Sequence, residues 1–150
     1  MALYLLDTNI LIGLTDADAA SRPAARHAVR TLLKQGHICV LVAQVLIEFW
    51  SVSSRPVNKN GLGLSTKDCR AEIDQLRSQF PILDDTASVL DRWLTLVTQL
   101  QISGNRAHDI RLLGIMLEHS VSYILTFNTK DFPAVEGITV VHPKEISEYQ

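Results

Sequence analysis

Apolar and polar residues fall in blocks along this chain, and each block has a length that suits one element. Leu3-Tyr4-Leu5-Leu6 is a short unbroken apolar run, which predicts a buried parallel strand. Residues 10–15 predict a short helix or turn. Ser21-Arg22-Pro23 opens the next helix, since proline is tolerated in a first turn. Ala25, Val29 and Leu32/Leu33 give that helix its apolar stripe, and Gly36 ends it. Residues 38–42 predict a second strand, followed by a helix over about 43–54 that Pro56 stops. Residues 57–63 are a polar, glycine-bearing loop. Ser65 with Asp68 resembles a capping box, and the helix it opens carries Cys69, Ile73, Leu76 and Phe80 on one face. Pro81 closes that helix, and Asp85 is placed to cap the next, whose stripe is Val89, Trp93, Leu96, Val97 and Leu100. After the break at Gly104-Asn105 come a helix over about 107–118 and strands over 121–126 and 137–141. Strands alternating with helices predict an α/β fold, with a mainly parallel sheet covered on both faces.

Composition narrows the class. A chain of 150 residues is the size of one domain, 1–150, and at 47% hydrophobic and 20% charged it can bury a real core. No apolar stretch reaches the roughly 18 residues a membrane span needs. The first residues have no basic segment, so they do not read as a signal peptide. Cys39 and Cys69 read as reduced core thiols, which suits a cytoplasmic protein. A formal charge of −2 argues against bulk binding to polyanions but leaves room for a local basic patch.

Four positions carry candidate chemistry. Asp7 ends the first strand, where open α/β sheets keep their active sites. It is equally suited to cap the helix that follows, with Thr8 and Asn9 as alternative caps or as groups that orient its carboxylate. Glu48 lies inside Val45-Leu46-Ile47-Glu48-Phe49-Trp50. A carboxylate among apolar groups is costly unless paired or bound to metal. The competing reading puts Glu48 on the solvent stripe of its helix, where its neighbours Gln44, Val45, Ser51 and Val52 make a mixed face. Asp109 heads a stripe continued by Leu112, Leu113 and Met116, although an acid in a first turn also compensates the helix dipole. His108 beside it reads as a surface residue, and Trp50 and Trp93 read as packing residues. Asn128 or Asp131 follows the third strand and reaches the same sheet edge, the other being a turn residue. Carboxylates gathered at one edge make a site for a hard divalent cation, which points to metal-assisted phosphodiester chemistry.

Leu6-Asp7-Thr8-Asn9, Glu48 within an apolar helix, Asp109 in Ala107-His108-Asp109-Ile110-Arg111, and Thr126-Phe127-Asn128-Thr129-Lys130-Asp131-Phe132 together resemble the PIN-domain ribonucleases. The short chain is similar to the VapC-type toxins among them. Arg55-Pro56 followed by Asn60-Gly61-Leu62 resembles a loop of one branch of that family. The resemblance implies an α/β/α sandwich, a Mg²⁺ or Mn²⁺ site, and endonucleolytic cleavage of single-stranded or looped RNA. It further implies a homodimer and a small antitoxin protein as inhibitor. On the family pattern Asp7, Glu48 and Asp109 are the catalytic acids and metal ligands, with Thr8 and Asn9 around them. The fourth catalytic position matches Asn128, where many members carry Asp. Either Asn128 is a neutral ligand or Asp131 takes its place.

A metal-activated water would then attack the phosphorus in line, and the resemblance implies a 5′-phosphate and a 3′-hydroxyl as the product ends. Arg55, Lys59 and Lys67 around the 55–67 loop, and Arg106 near Asp109, are candidate phosphate contacts, against the plain alternative of solvated surface charges. The competing function is a catalytically silent PIN-like module that binds RNA or protein. A haloacid-dehalogenase-like phosphotransferase would need an acid two residues after Asp7, where Asn9 stands.

Overall fold

A computed structural model describes residues 1–147. The first strand, β1 (Leu3–Leu6), lies at the middle of a five-stranded sheet. Beyond it on one side are β2 (Ile38–Val42) and then β3 (Ile82–Leu83). On the other are β4 (Tyr123–Leu125) and then β5 (Thr139–Val141). Every pairing is parallel, with Leu5 opposite both Val40 and Ile124. Parallel strands covered on both faces need continuous apolar runs. Leu5, Leu6, Val40, Leu41, Ile124 and Leu125 are all buried as that rule requires.

Six helices join and flank these strands: α1 (Thr8–Thr15), α2 (Arg22–Lys34), α3 (Ala43–Ser54), α4 (Thr66–Gln79), α5 (Ser88–Gln99) and α6 (Arg106–Glu118). None is long and apolar enough to cross a membrane among the described residues. The α2 helix ends as anticipated, with Gly36 in the left-handed conformation (φ +85°) just past its last turn. Ser65 caps α4, its Oγ accepting from the backbone N–H of Asp68 at 3.1 Å. Cys39 and Cys69 are free and buried.

The topology fixes where chemistry can occur. The chain leaves β1 toward β2 on one side and later returns to β4 on the other. The carboxyl ends of β1 and β4 therefore flank the point where the strand order reverses, the crevice in which such sheets hold ligands.

Several expectations are corrected. The sheet has five strands, since Ile82–Leu83 pairs with Leu41 and Val42. Two residues are too short to show a period, and this strand exists because β2 offers it an edge. Asp85 does not cap α5, which begins at Ser88 with Ala87 at the cap position. The intervening turn carries the Asp85 carboxylate away from the helix end, and it pairs instead with Arg111 of α6 at 3.3 Å. Leu33 stands 48% exposed, because the apolar stripe of α2 turns inward at Ala25, Ala28, Val29 and Leu32. The last two strands are shorter than their apolar runs, and α1 begins at Thr8, directly after β1.

Candidate active site

The site grows from the β1/β4 edge. Asp7 follows β1 with extended backbone and caps α1, its Oδ1 accepting from the backbone N–H of Thr8 at 2.8 Å. Capping and site placement are thus the same feature: the carboxylate sits at a helix N-terminus within the crevice. Across the ladder, the backbone N–H of Asp7 donates to the Leu125 carbonyl at 3.1 Å. That register brings the fully buried Thr126 alongside, and its Oγ1 donates to Asp7 Oδ2 at 2.8 Å. Asn9 Nδ2 donates to Thr126 Oγ1 at 3.1 Å, and Asn9 Oδ1 accepts from the backbone N–H of Phe127 at 3.0 Å. The backbone N–H of Asn128 also donates to Thr126 Oγ1, at 3.0 Å. Asn9 is thus a clamp between the ends of the two strands.

Glu48 comes from the second turn of α3 and is half-buried. Its Oε2 accepts from Thr8 Oγ1 at 2.7 Å and its Oε1 from Gln44 Nε2 at 3.0 Å. The helix turns Ile47, 68% exposed, to solvent and keeps Glu48 toward Thr8. The apolar run around Glu48 therefore marks a helix with one polar side facing the site.

Asp109 lies in the first turn of α6 and is half-buried, above Leu112, Leu113 and Met116, which are buried. Trp93 of α5 fastens that first turn, its Nε1 donating to the Ala107 carbonyl at 2.7 Å. Gly114 packs against the same residue, where a Cβ would lie 3.4 Å from the Trp93 backbone nitrogen, at the near limit of ordinary contact. After β4, Asn128 and Asp131 bracket a single 3-10 turn (Thr129–Asp131), and both are exposed.

Asp7, Thr8, Asn9, Glu48, Asp109, Asn128 and Asp131 line one cleft of about 450 Å³. Ser21, Phe127, Ile12 and Val52 complete its walls, and no basic side chain is among the lining residues. The charges act on one another. Burial, then the neighbouring Glu48 and Asp109, push the Asp7 carboxyl up to about 6, against the pull of its bonds to Thr126 and Thr8. Burial, Asp131 and Glu48 raise Asp109, while His108 and Arg106 oppose that shift. Among the described residues no three acids, histidines or cysteines are closed into a ready ligand cage. The donor set nevertheless fits a hard divalent cation: oxygen ligands, a buried carboxylate held above its usual range, and no basic group to neutralise it. Asp7, Glu48, Asp109 and Asp131 are the residues able to hold it.

The basic candidates are placed less centrally. Arg106 stands at the start of α6 and lowers the Asp109 carboxyl, but Arg55, Lys59 and Lys67 lie outside the cleft lining. The 55–63 loop is folded back on α3, with Gly63 N–H to the Arg55 carbonyl at 2.8 Å and Leu62 N–H to the Val52 carbonyl at 3.1 Å. A Cβ at Gly61 would collide with the Arg55 carbonyl, so that glycine is a packing requirement. Sequence reasoning gave no role to Thr126, Gln44 or Arg111. Thr126 had a readable signal, a polar residue at the end of an apolar strand run, and so did Gln44, four residues before Glu48 on one helix face.

Curated protein sequences offer no match to the chain. Among solved structures it is similar to VapBC2 from Rickettsia felis bound to a promoter DNA fragment. That match has 20% identity over 93% of this chain and 98% of the other, with a TM-score of 0.69. It is similar to DNA-bound VapBC from Salmonella typhimurium, at 17% identity over 95% and 99% of the two chains and a TM-score of 0.69. The sarcin–ricin loop cleaving toxin VapC20 of Mycobacterium tuberculosis matches at 17% identity over 81% and 86%, with a TM-score of 0.57. These likenesses show a shared α/β/α fold. The PIN domain profile matches residues 4–138, from β1 to the residue before β5, and takes in every acid of the cleft. The chain belongs to the PIN-domain family.

Proposed function

We propose that this protein is a Mg²⁺- or Mn²⁺-dependent endoribonuclease that hydrolyses single-stranded or looped RNA, and that it acts as the toxin of a toxin–antitoxin pair. The observation that carries the reading is the cleft itself: carboxylates that follow β1, from α3, from α6 and from the turn after β4 line one cleft at the switch point, with no basic side chain in its lining. A pure RNA-binding surface would reverse that charge, because phosphate contacts favour Lys and Arg. Support for a toxin role comes from the neighbours, which include VapBC complexes and one toxin that cleaves the sarcin–ricin loop. Those complexes also motivate a small antitoxin as partner. A homodimer working in the cytoplasm is part of the same proposal.

In this mechanism Asp7 and Asp109 would hold the cation directly, and Glu48 would either hold it or orient the water that attacks. Asp131 completes the charge, since it is the acid that weighs most on Asp109. The neutral Asn128 contacts the phosphate. A bound divalent cation lowers the pKa of water and neutralises charge developing on the phosphoryl oxygens. Thr8, Thr126 and Asn9 hold the Asp7 and Glu48 oxygens in fixed directions, so that ligand atoms need not reorganise during the reaction. Ser21 and Phe127 line the cleft beside the acids and are within reach of the strand that enters. Arg106, which opposes the raised Asp109 carboxyl, contributes a salt-sensitive phosphate contact.

The test is an end-labelled single-stranded RNA and a stem–loop, incubated with the protein in Mg²⁺, Mn²⁺ or EDTA. Cleavage that requires metal and leaves a 5′-phosphate is the expected result. A folded protein that binds these RNAs and cuts none would replace the nuclease with a silent binding module.

A further inference from the structure

Glu48 is held from behind by residues outside the acidic set. Gln44, one helical turn earlier on α3, donates from Nε2 to Glu48 Oε1 at 3.0 Å and to the His108 carbonyl at 2.8 Å. Arg111, one turn into α6, donates from Nη1 to Gln44 Oε1 at 3.0 Å. Its Nη2 pairs with Asp85 Oδ1 at 3.3 Å. The directions of these bonds are forced. A guanidinium has donors only, so the amide oxygen of Gln44 must face Arg111. Its NH₂ is then turned toward two acceptors, the Glu48 carboxylate and the His108 carbonyl. The opposite orientation would set an oxygen against a carboxylate and an NH₂ against a guanidinium.

The same contacts join the two helices that carry acids. His108 directly precedes Asp109, so the bond from Gln44 to the His108 carbonyl ties the first turn of α6 to the first turn of α3. Asp85, which precedes α5, anchors the far side of Arg111. The network borders a separate cleft of about 330 Å³, with Glu48 shared between it and the acidic cleft.

We propose that Gln44, its amide oriented by Arg111, is a positioning residue that presents the Glu48 carboxylate to the cation. The inference rests on the acidic cleft being a divalent-cation site. Groups that orient a metal ligand commonly change affinity or activity by about 10- to 100-fold when removed.

The test is a double-mutant cycle read by Mn²⁺ calorimetry and by RNA cleavage, with Gln44→Leu, Glu48→Gln and the pair. Gln44→Leu is expected to weaken Mn²⁺ binding by about 10-fold and to lower kcat while KM for RNA holds. In the Glu48→Gln background the same substitution should add little, because the group it positions has already been changed. Arg111→Met should give a smaller version of the Gln44→Leu defect, and Arg111→Lys should restore part of it. Should Gln44→Leu not fold, as judged by thermal melting, Gln44→Asn shortens the reach to both partners and takes its place. An equal loss in both backgrounds, or no loss in either, overturns the positioning role while leaving the cation site intact. A wild-type protein that binds no Mn²⁺ overturns the cation site, and the inference falls with it.

Discussion

The two halves of the cleft are built differently. On the β1/α3 half, every carboxylate oxygen has a donor: Thr8 N–H and Thr126 Oγ1 for Asp7, Thr8 Oγ1 and Gln44 Nε2 for Glu48. On the α6 half, among the described residues, no hydrogen bond reaches the side chain of Asp109 or Asp131. The first half is preorganised by the fold, at the cost of burying Asp7. The second half offers its acids to whatever enters. One side fixes geometry and the other is free to adjust, an arrangement suited to an ion that keeps several waters and demands near-octahedral ligands.

If both halves serve one ion, breaking either should stop the reaction. Asp7→Asn is expected to lower cleavage by about 10³-fold or more, since the ion supplies several kcal/mol of charge stabilisation in the transition state. Single-turnover kinetics would check this, and a variant within a few-fold of wild type would separate Asp7 from the chemistry.

A smaller effect probes the preorganised half alone. Asp7 is 8% exposed, with its carboxyl near 6 in the folded chain against an ordinary value of 3.8. Between those values the folded state binds more protons than the unfolded one, so stability is present at low pH and is lost as pH rises through about 6. Without metal, denaturant unfolding should show a decline of up to about 3 kcal/mol between roughly pH 4 and 7, to which Asp109 adds in the same direction. Saturating Mn²⁺ should reverse it, because a ligand that binds only the folded state stabilises it. A flat profile in EDTA would show that the fold tolerates the charge better than its burial suggests.

Thr126→Val tests the hub of the same half. It removes the donor to Asp7 and the acceptor of Asn9 and Asn128 in one step. The expected loss is about 1–3 kcal/mol in urea unfolding, the usual cost of stranding buried polar groups. The smallest effect belongs to the adjustable half. Asp131→Asn should weaken Mn²⁺ binding about 10-fold, while Asn128→Ala should leave it unchanged and raise KM for RNA. The reverse pattern would assign the fourth position to Asn128.

How far the sequence could foresee this differs between the halves. The strand ends carrying Asp7 and Thr126-Phe127-Asn128 were legible because buried parallel strands are unbroken apolar runs, and a polar residue that closes such a run stands out. Asp109 was legible from the stripe beneath it. The link between Gln44 and Arg111 was not, because the two lie 67 residues apart along the chain and only the packing of α3 against α6 brings them together. Asp85 misled for the same reason: locally it is a good cap, and a tertiary partner outcompeted the helix end. The two-residue β3 had no local signal at all. The choice between Asn128 and Asp131 stayed open because both flank one turn and both line the cleft.

The most direct test of the central claim is Mn²⁺ calorimetry at pH 7 on wild type, Asp7→Asn and Asp109→Asn, each confirmed to be folded. Binding to wild type that is lost or severely weakened in both variants is the predicted result, one residue from each half being indispensable to a shared ion. Undiminished binding in either variant would contradict the account, because the two halves would then not close on the same cation.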